Sequence, residues 1–213
     1  MDRNYMGIRR LIVAVVISYL IMLFGGGALK PGYSHVGQFI SELNATGTSY
    51  AQVIGWLGFV PFGLLTSMLI ISLAGVAPVR GASRAGYWIL ILQPIAYIGS
   101  ALAPCDIGCP VEGSMSQTIH NMLGLFTYSL TAVGLVLLSL APRISVFMRL
   151  LWLVLAFVWL MLFTLMLDSS LEHLRGILQR LAEWIVFGVL LVCAWRLSVA
   201  NKQLNSDVAS GAH

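Results

Sequence analysis

The sequence contains few charged residues. Asp, Glu, Lys and Arg make up 9% of its 213 residues, whereas hydrophobic residues make up 59%. Soluble domains contain roughly 25% charged residues, so this composition excludes an ordinary soluble protein. The apolar runs are continuous rather than alternating, which excludes a transmembrane barrel. Since only helices and closed barrels satisfy the backbone in a bilayer, the sequence predicts an all-α, polytopic membrane protein.

Long apolar runs predict the membrane-spanning helices. A spanning helix needs about 20 residues, and six windows suit it: residues 8–27, 51–75, 86–103, 119–141, 147–167 and 176–197. These windows use nearly the whole chain, so we expect a single six-helix domain over residues 1–213. A cleaved signal peptide is the alternative interpretation of the first window, but no clean A-x-A site follows it, which favours a retained helix.

Basic residues are scarce in alternate loops. Nine of the 12 Lys and Arg residues lie at the amino terminus, in the even-numbered loops or in the tail, and only Lys30, Arg175 and Arg180 lie elsewhere. The positive-inside rule therefore predicts that both termini are cytoplasmic. We expect a multi-pass protein of the cell membrane, typically the bacterial inner membrane. Basic residues scattered over short loops do not form a nucleic-acid surface, so no nucleic-acid partner is expected.

Cysteine is also scarce, and two of the three cysteines lie close together. Cys105 and Cys109 flank three residues in the third loop, on the predicted outer side, where disulfides persist. We expect a Cys105–Cys109 disulfide; a redox-active pair and a metal-binding pair are the alternatives. Cys193 lies in the last apolar run, where we expect a free thiol.

One short stretch concentrates ionisable side chains beside the last apolar run. Residues 167–183 include Asp168, Glu172, His173, Arg175, Arg180 and Glu183. Ionisable residues in a membrane segment indicate a functional site, and Glu183 lies about ten Å inside its span by helical rise. Arg180 and Glu183 are three residues apart and can form an internal salt bridge. Alternatively, Arg180 binds an anionic head group or carboxylate and Glu183 orients it.

The first loop carries apolar residues at helical spacing. Val36, Phe39, Ile40 and Leu43 predict a short helix lying on the membrane surface. Ser41 and Glu42 would lie at the end of that helix, beside an outward-facing pocket.

Three short motifs occur in a recognisable order. They are Ile40-Ser41-Glu42-Leu43, then Cys105-Asp106 ahead of His120-Asn121, then Gly176-Ile177-Leu178-Gln179-Arg180. Their combination resembles DUF998, a prokaryotic membrane family of unknown function. That family has a Ser-Glu segment after the first helix, an aspartate loop ahead of a histidine, and a G-L-x-x-R signature, in which this chain has isoleucine for the usual leucine. The resemblance covers essentially the whole chain, implies a helical membrane fold and singles out Ser41, Glu42, Asp106, His120 and Arg180, but implies no activity.

Three functions are compatible with these residues, and whether the protein is an enzyme stays open. The first is binding of a lipid, a small molecule or a membrane partner in an outer pocket. Its ligand-binding residues would be Glu42, Asp168, Arg180 and Glu183.

The second function is metal-dependent hydrolysis of a lipid ester or amide. His120, His173 and Asp106 would bind zinc and activate water, with Ser41 or Arg180 stabilising charge, so the catalytic candidates are His120, His173, Asp106 and Ser41. No H-x-x-x-H or H-E-x-x-H spacing occurs. The third function is a proton-coupled carrier that uses Glu183 as its coupling carboxylate. Haem between His120 and His173 is a minor option.

Overall fold

The protein is described by a computed structural model that covers residues 3–210, with side chains over residues 6–199. This part of the chain is helical and contains no strand. Six helices are long and apolar enough to cross a membrane, which confirms the predicted all-α, six-helix class. They are α1 (Met6–Leu29), α2 (Ala51–Leu73), α3 (Ala82–Leu102), α4 (Met115–Leu138), α5 (Val146–Met166) and α6 (Arg175–Ser210).

The six helices form a closed ring. Each helix packs against the next one along the chain, and α6 packs back against α1. Large apolar side chains cover the outside of the ring, among them Leu57 and Phe157, which are 72% and 69% exposed. Such a surface suits lipid rather than water, so the protein is a multi-pass membrane protein in a bilayer.

Two of the helices contain a wide turn of π-helix. These turns are Ile21–Gly25 in α1 and Gly55–Phe59 in α2. The second turn ends two residues before Pro61, whose ring nitrogen has no proton to donate. Turns of π-helix are frequent at functional sites.

The first, third and fifth loops meet at one end of the ring. The amide of Thr46 donates to the carbonyl of Cys105 at 2.8 Å, and the amide of Ile177 donates to the carbonyl of Val36 at 2.9 Å. We call this end the disulfide end, because Cys105 and Cys109 are joined there, with their Cα atoms 5.1 Å apart. The predicted disulfide is thus confirmed, and Cys193 is a free, half-buried thiol.

The first loop differs from its predicted form. Its helical part is a short 3-10 turn, Ile40–Asn44. Ile40 and Leu43 are 1% and 0% exposed, whereas Val36 is 48% exposed. The prediction of a helix lying on the membrane surface was therefore wrong, because the apolar side chains of this turn insert into the mouth of the ring.

Candidate functional site

A cavity with several polar side chains on its wall lies inside the ring near the disulfide end. Its volume is about 70 Å³, which is room for a few water molecules or one small polar group. The first loop, α2, α3, α4 and α6 all contribute to its wall. Its polar and aromatic lining consists of Ser41, Phe59, Gln93, Tyr97, Ser100, His120, Thr127, Tyr128, Gln179 and Glu183.

Glu183 provides the acidic group of the cavity. It lies on α6, is 5% exposed and lines the cavity wall. The hydroxyl of Tyr97 donates to one of its carboxylate oxygens. Within the described side chains, no Lys, Arg or His nitrogen lies within 4.0 Å of this carboxylate. A buried carboxylate without a cationic partner is therefore aimed at open space inside a membrane protein.

Arg180 does not form the predicted bridge to Glu183, although the two are three residues apart on α6. Its guanidinium donates instead to Tyr33 Oη at 2.6 Å, to His35 Nδ1 at 3.1 Å and to the carbonyl of Gln38 at 3.0 Å. A fourth bond reaches the carbonyl of its own helix one turn earlier, at 2.8 Å. Arg180 is 2% exposed. Three of its four acceptors belong to the first loop, so Arg180 attaches this loop to α6.

The neighbours of Arg180 in its motif serve the same purpose. The Gln179 side chain accepts from the amide of Ile40 at 2.6 Å. A Cβ atom on Gly176 would lie 2.7 Å from the carbonyl oxygen of Val36 and closer still to that of Gln38. Glycine is therefore required where the loop backbone crosses α6. We call Gly176, Gln179 and Arg180 the loop-one clamp.

Glu42, a predicted ligand-binding residue, is occupied by the loop itself. It is 2% exposed. Its carboxylate accepts from the amide of Phe39 and from the side chains of Gln38 and Arg175, each at 3.0 Å. Lys30 donates to the carbonyl of Glu42, and burial lowers the pKa of Lys30 even though Glu42 opposes the shift. Glu42 thus closes the first loop and, through Arg175, joins it to α6.

The two side chains beside Arg180 have shifted pKa values. Burial raises the pKa of Tyr33 to about 12, partly offset by Arg180. Burial, and then the charge of Arg180, lower the pKa of His35. His35 is therefore a neutral imidazole that accepts from Arg180, which agrees with its geometry. The acceptors that the loop offers to Arg180 are all uncharged.

Ser41 and His120 lie where the cavity meets the disulfide. The hydroxyl of Ser41 is 3.5 Å from Cys109 Sγ. His120 Nδ1 is 3.0 Å from the carbonyl oxygen of Ala103, so this nitrogen carries the proton and the lone pair is on Nε2. A ring nitrogen of His120 and the sulfurs of Cys105 and Cys109 lie within 4.8 Å of one another.

The predicted zinc ligands are not brought together. His173 is exposed at the end of a 3-10 turn, Ser169–Leu174. The Asp106 carboxylate accepts from the amide and the hydroxyl of Ser114, both at 2.8 Å, before α4 begins. Across the described residues, the metal-ligand types cluster only at Cys105, Cys109 and His120. His120 is therefore the only member of the predicted set in that cluster.

Asp168 also has a local role in the structure. Its carboxylate accepts from the amide of Ser170 at 2.8 Å and from the hydroxyl of Ser170 at 2.7 Å. These hydrogen bonds lower the pKa of Asp168. Asp168 thus begins the turn ahead of α6 and lies outside the cavity wall.

Sequence reasoning did not assign a role to Gln93 or Tyr128, two neutral side chains of the cavity. Tyr128 stacks between Trp159 and Phe163 of α5, with ring centroids 4.6 Å away from each. Its hydroxyl is buried and has no hydrogen-bond partner within the described chain. Gln93 donates to Thr131 Oγ1 at 2.8 Å, which leaves its carbonyl oxygen as an acceptor. Of these two residues, Gln93 is the one that the sequence could have indicated, because a glutamine is unusual in an apolar run.

A comparison with known protein families found one match. The model of a family described as a protein of unknown function, DUF998, matches residues 12–196. The chain belongs to the DUF998 family. The matched residues cover most of the DUF998 chain and include Ser41, His120, Arg180 and Glu183, so the resemblance seen in the sequence is confirmed. No curated protein and no solved structure matches this DUF998 protein.

Proposed function

We propose that this DUF998 protein binds a small amine in the cavity, either as a free molecule or as the head group of a lipid. The observation that carries the proposal is Glu183, a carboxylate that is 5% exposed and faces the cavity. Burying an unpaired charge costs several kcal/mol, and an ionisable residue within a membrane segment is commonly functional. An ammonium group bound in the cavity would offset that cost.

The walls around Glu183 suit a cation. Phe59 and Tyr97 place aromatic rings on the cavity wall, and the faces of such rings attract ammonium groups. An ammonium group also needs several hydrogen-bond acceptors. The carbonyl oxygen of Gln93 and the unpartnered hydroxyl of Tyr128 supply two beside the carboxylate. Acid, aromatic rings and acceptors are thus combined in one cavity.

The size of the cavity limits the ligand. A volume of about 70 Å³ holds a primary amine with one or two carbons, but not a whole lipid. The rest of a larger ligand would leave the cavity past Ser41 and His120 at the disulfide end. We therefore expect recognition of the amine alone, with little selectivity for the attached chain.

The test uses detergent-purified full-length protein. Calorimetry with ethanolamine probes the free amine, and native mass spectrometry compares retention of phosphatidylethanolamine with that of phosphatidylglycerol. We expect Glu183→Gln to weaken amine binding at least tenfold, because the amide removes the charge but still accepts from Tyr97.

Glu172→Gln is the matched control, since the Glu172 side chain is 69% exposed and lies outside the cavity wall. Binding of ethanolamine alone would identify the ligand as a free amine, and retention of phosphatidylethanolamine alone would identify it as a lipid head group. Equal binding by wild type and Glu183→Gln, or no binding of either amine by a well-folded wild type, would overturn the proposal.

A further inference from the structure

The disulfide and His120 form a second group of chemically competent side chains. The two sulfurs and a ring nitrogen of His120 lie within 4.8 Å of one another. Cys105 is fully buried, and Cys109 and His120 are half-buried. His120 also lines the cavity, so one member of the group lies on the cavity wall. It contains no residue that the amine-binding proposal requires.

We propose that reduction of the Cys105–Cys109 disulfide creates a zinc site formed by Cys105, Cys109 and His120. The reductant is a dithiol, either a small molecule or a protein. It donates two electrons and two protons, the S–S bond breaks to give two cysteine thiols, and the reductant becomes a disulfide. Zinc then displaces the two thiol protons, as thiolate ligation requires. It forms two bonds to sulfur and one to the imidazole.

The distances suit this exchange. Zinc binds thiolate at about 2.3 Å and imidazole at about 2.0–2.1 Å in tetrahedral geometry, which places ligand atoms roughly 3.5–3.8 Å apart. In the oxidised protein the two sulfurs and the ring nitrogen lie within 4.8 Å of one another. Small shifts of these atoms after the S–S bond is broken would therefore give that spacing. Both cysteines lie in the loop between α3 and α4 rather than within a helix. The required movement of the sulfurs is therefore small and local.

A hydrogen bond selects the tautomer of His120. Its Nδ1 proton points to the carbonyl oxygen of Ala103, 3.0 Å away. Histidines that bind metals commonly donate their other ring proton to a carbonyl or carboxylate, which selects the tautomer. The lone pair of Nε2 is thus the one available for a metal, and no change of protonation is needed at this residue.

Three protein ligands would leave one position on the zinc open. Cys₂His with an open fourth position is a ligand set of catalytic rather than structural zinc sites. Ser41 lies beside this cluster, because its hydroxyl is 3.5 Å from Cys109 Sγ. The site would therefore admit water or a ligand from the cavity. It would be absent while the disulfide is intact, so its formation would depend on the redox state.

The experiment titrates cobalt(II) into detergent-purified full-length protein. One sample stays oxidised, and the other is reduced with dithiothreitol and desalted without oxygen. We expect thiolate-to-cobalt charge-transfer and tetrahedral d–d absorption in the reduced sample only, reaching one cobalt per chain and displaced by zinc. Because both samples are wild type, the comparison does not depend on a variant that folds.

Three variants assign the ligands. His120→Ala should weaken cobalt binding at least tenfold, whereas His173→Ala removes an exposed histidine at the same end and should change nothing. Cys193→Ser should also retain the absorption. Equal absorption in oxidised and reduced wild type, no absorption after reduction, or equal loss in the His120 and His173 variants would overturn the proposal. Amine binding by the oxidised protein is measured separately, so either proposal can fail alone.

Discussion

Arg180 and Glu183 are both buried, ionisable and three residues apart on α6, yet their surroundings differ. Arg180 has four hydrogen bonds to neutral acceptors, three of them in the first loop. Glu183 accepts from Tyr97 and otherwise faces a cavity. Both terminal nitrogens of the first group are hydrogen-bonded within the fold, and the second group is left for a ligand or a proton. Burial of a charge in a membrane protein therefore does not by itself identify a binding residue.

The largest expected effect is that of Arg180→Ala on stability. This substitution leaves the carbonyl of Gln38, the Tyr33 hydroxyl and the His35 ring without their donor. Charged hydrogen bonds contribute about 1.5–3 kcal/mol each, so we expect a loss of roughly 3–5 kcal/mol. Thermal unfolding in detergent measures it, with Arg149→Ala, which removes an exposed arginine on α5, as the control. An equal or smaller fall in Tm for Arg180→Ala than for Arg149→Ala would contradict the role of the clamp.

Gly176→Ala should have the next largest effect. Its Cβ atom would lie 2.7 Å from the Val36 carbonyl oxygen, so the first loop must move away from α6. We expect a loss of about 1–3 kcal/mol and faster proteolysis within residues 30–50. Gly188 is on the same helix with nothing within 4 Å of a new Cβ. Gly188→Ala should therefore leave both measurements unchanged or slightly improved, and equal effects of the two substitutions would refute the close approach.

The third prediction concerns pH. The pKa of His35 is lowered in the folded protein by burial and by Arg180, so the unfolded chain binds more protons below about pH 6.5. Stability should therefore fall as the pH drops below that value and be retained above it. His35→Gln keeps an acceptor for Arg180 but does not titrate, so its Tm should vary less over this range. The same pH dependence of Tm in both proteins would exclude His35 as the cause.

The smallest effect on stability is expected for Glu183→Gln. The amide keeps an acceptor for Tyr97 and removes a buried carboxylate, so Tm should stay equal or rise. Together with the loss of amine binding, this result would separate Glu183 from the loop-one clamp. A fall in Tm as large as that of Arg180→Ala would instead indicate that Glu183 has a structural role.

The sequence motif around Arg180 illustrates what could be predicted. The GILQR motif can be identified from the sequence alone, and its Gly176, Gln179 and Arg180 contact the first loop. Their role was not predictable, because residues three apart on a helix can point to different neighbours depending on what packs there. His173 is exposed and Glu42 is hydrogen-bonded to the first loop and to Arg175, which depends on tertiary contacts that the sequence does not show. Tyr97 and Gln93 gave little signal, since neutral polar residues are common in spanning helices.

The sequence by itself determined the membrane environment, the six helices, the disulfide and the family. These follow from the length of apolar runs, from cysteine spacing and from short motifs, all of which are local along the chain. Only the tertiary structure decided which groups share the cavity. Apolar side chains face both lipid and protein in a bilayer, as the nearly uniform α5 shows, so hydrophobic periodicity does not reveal the inward face of a helix. Closure of the ring and insertion of the first loop select that face, and they place Glu183 in the cavity while Arg180 holds the loop.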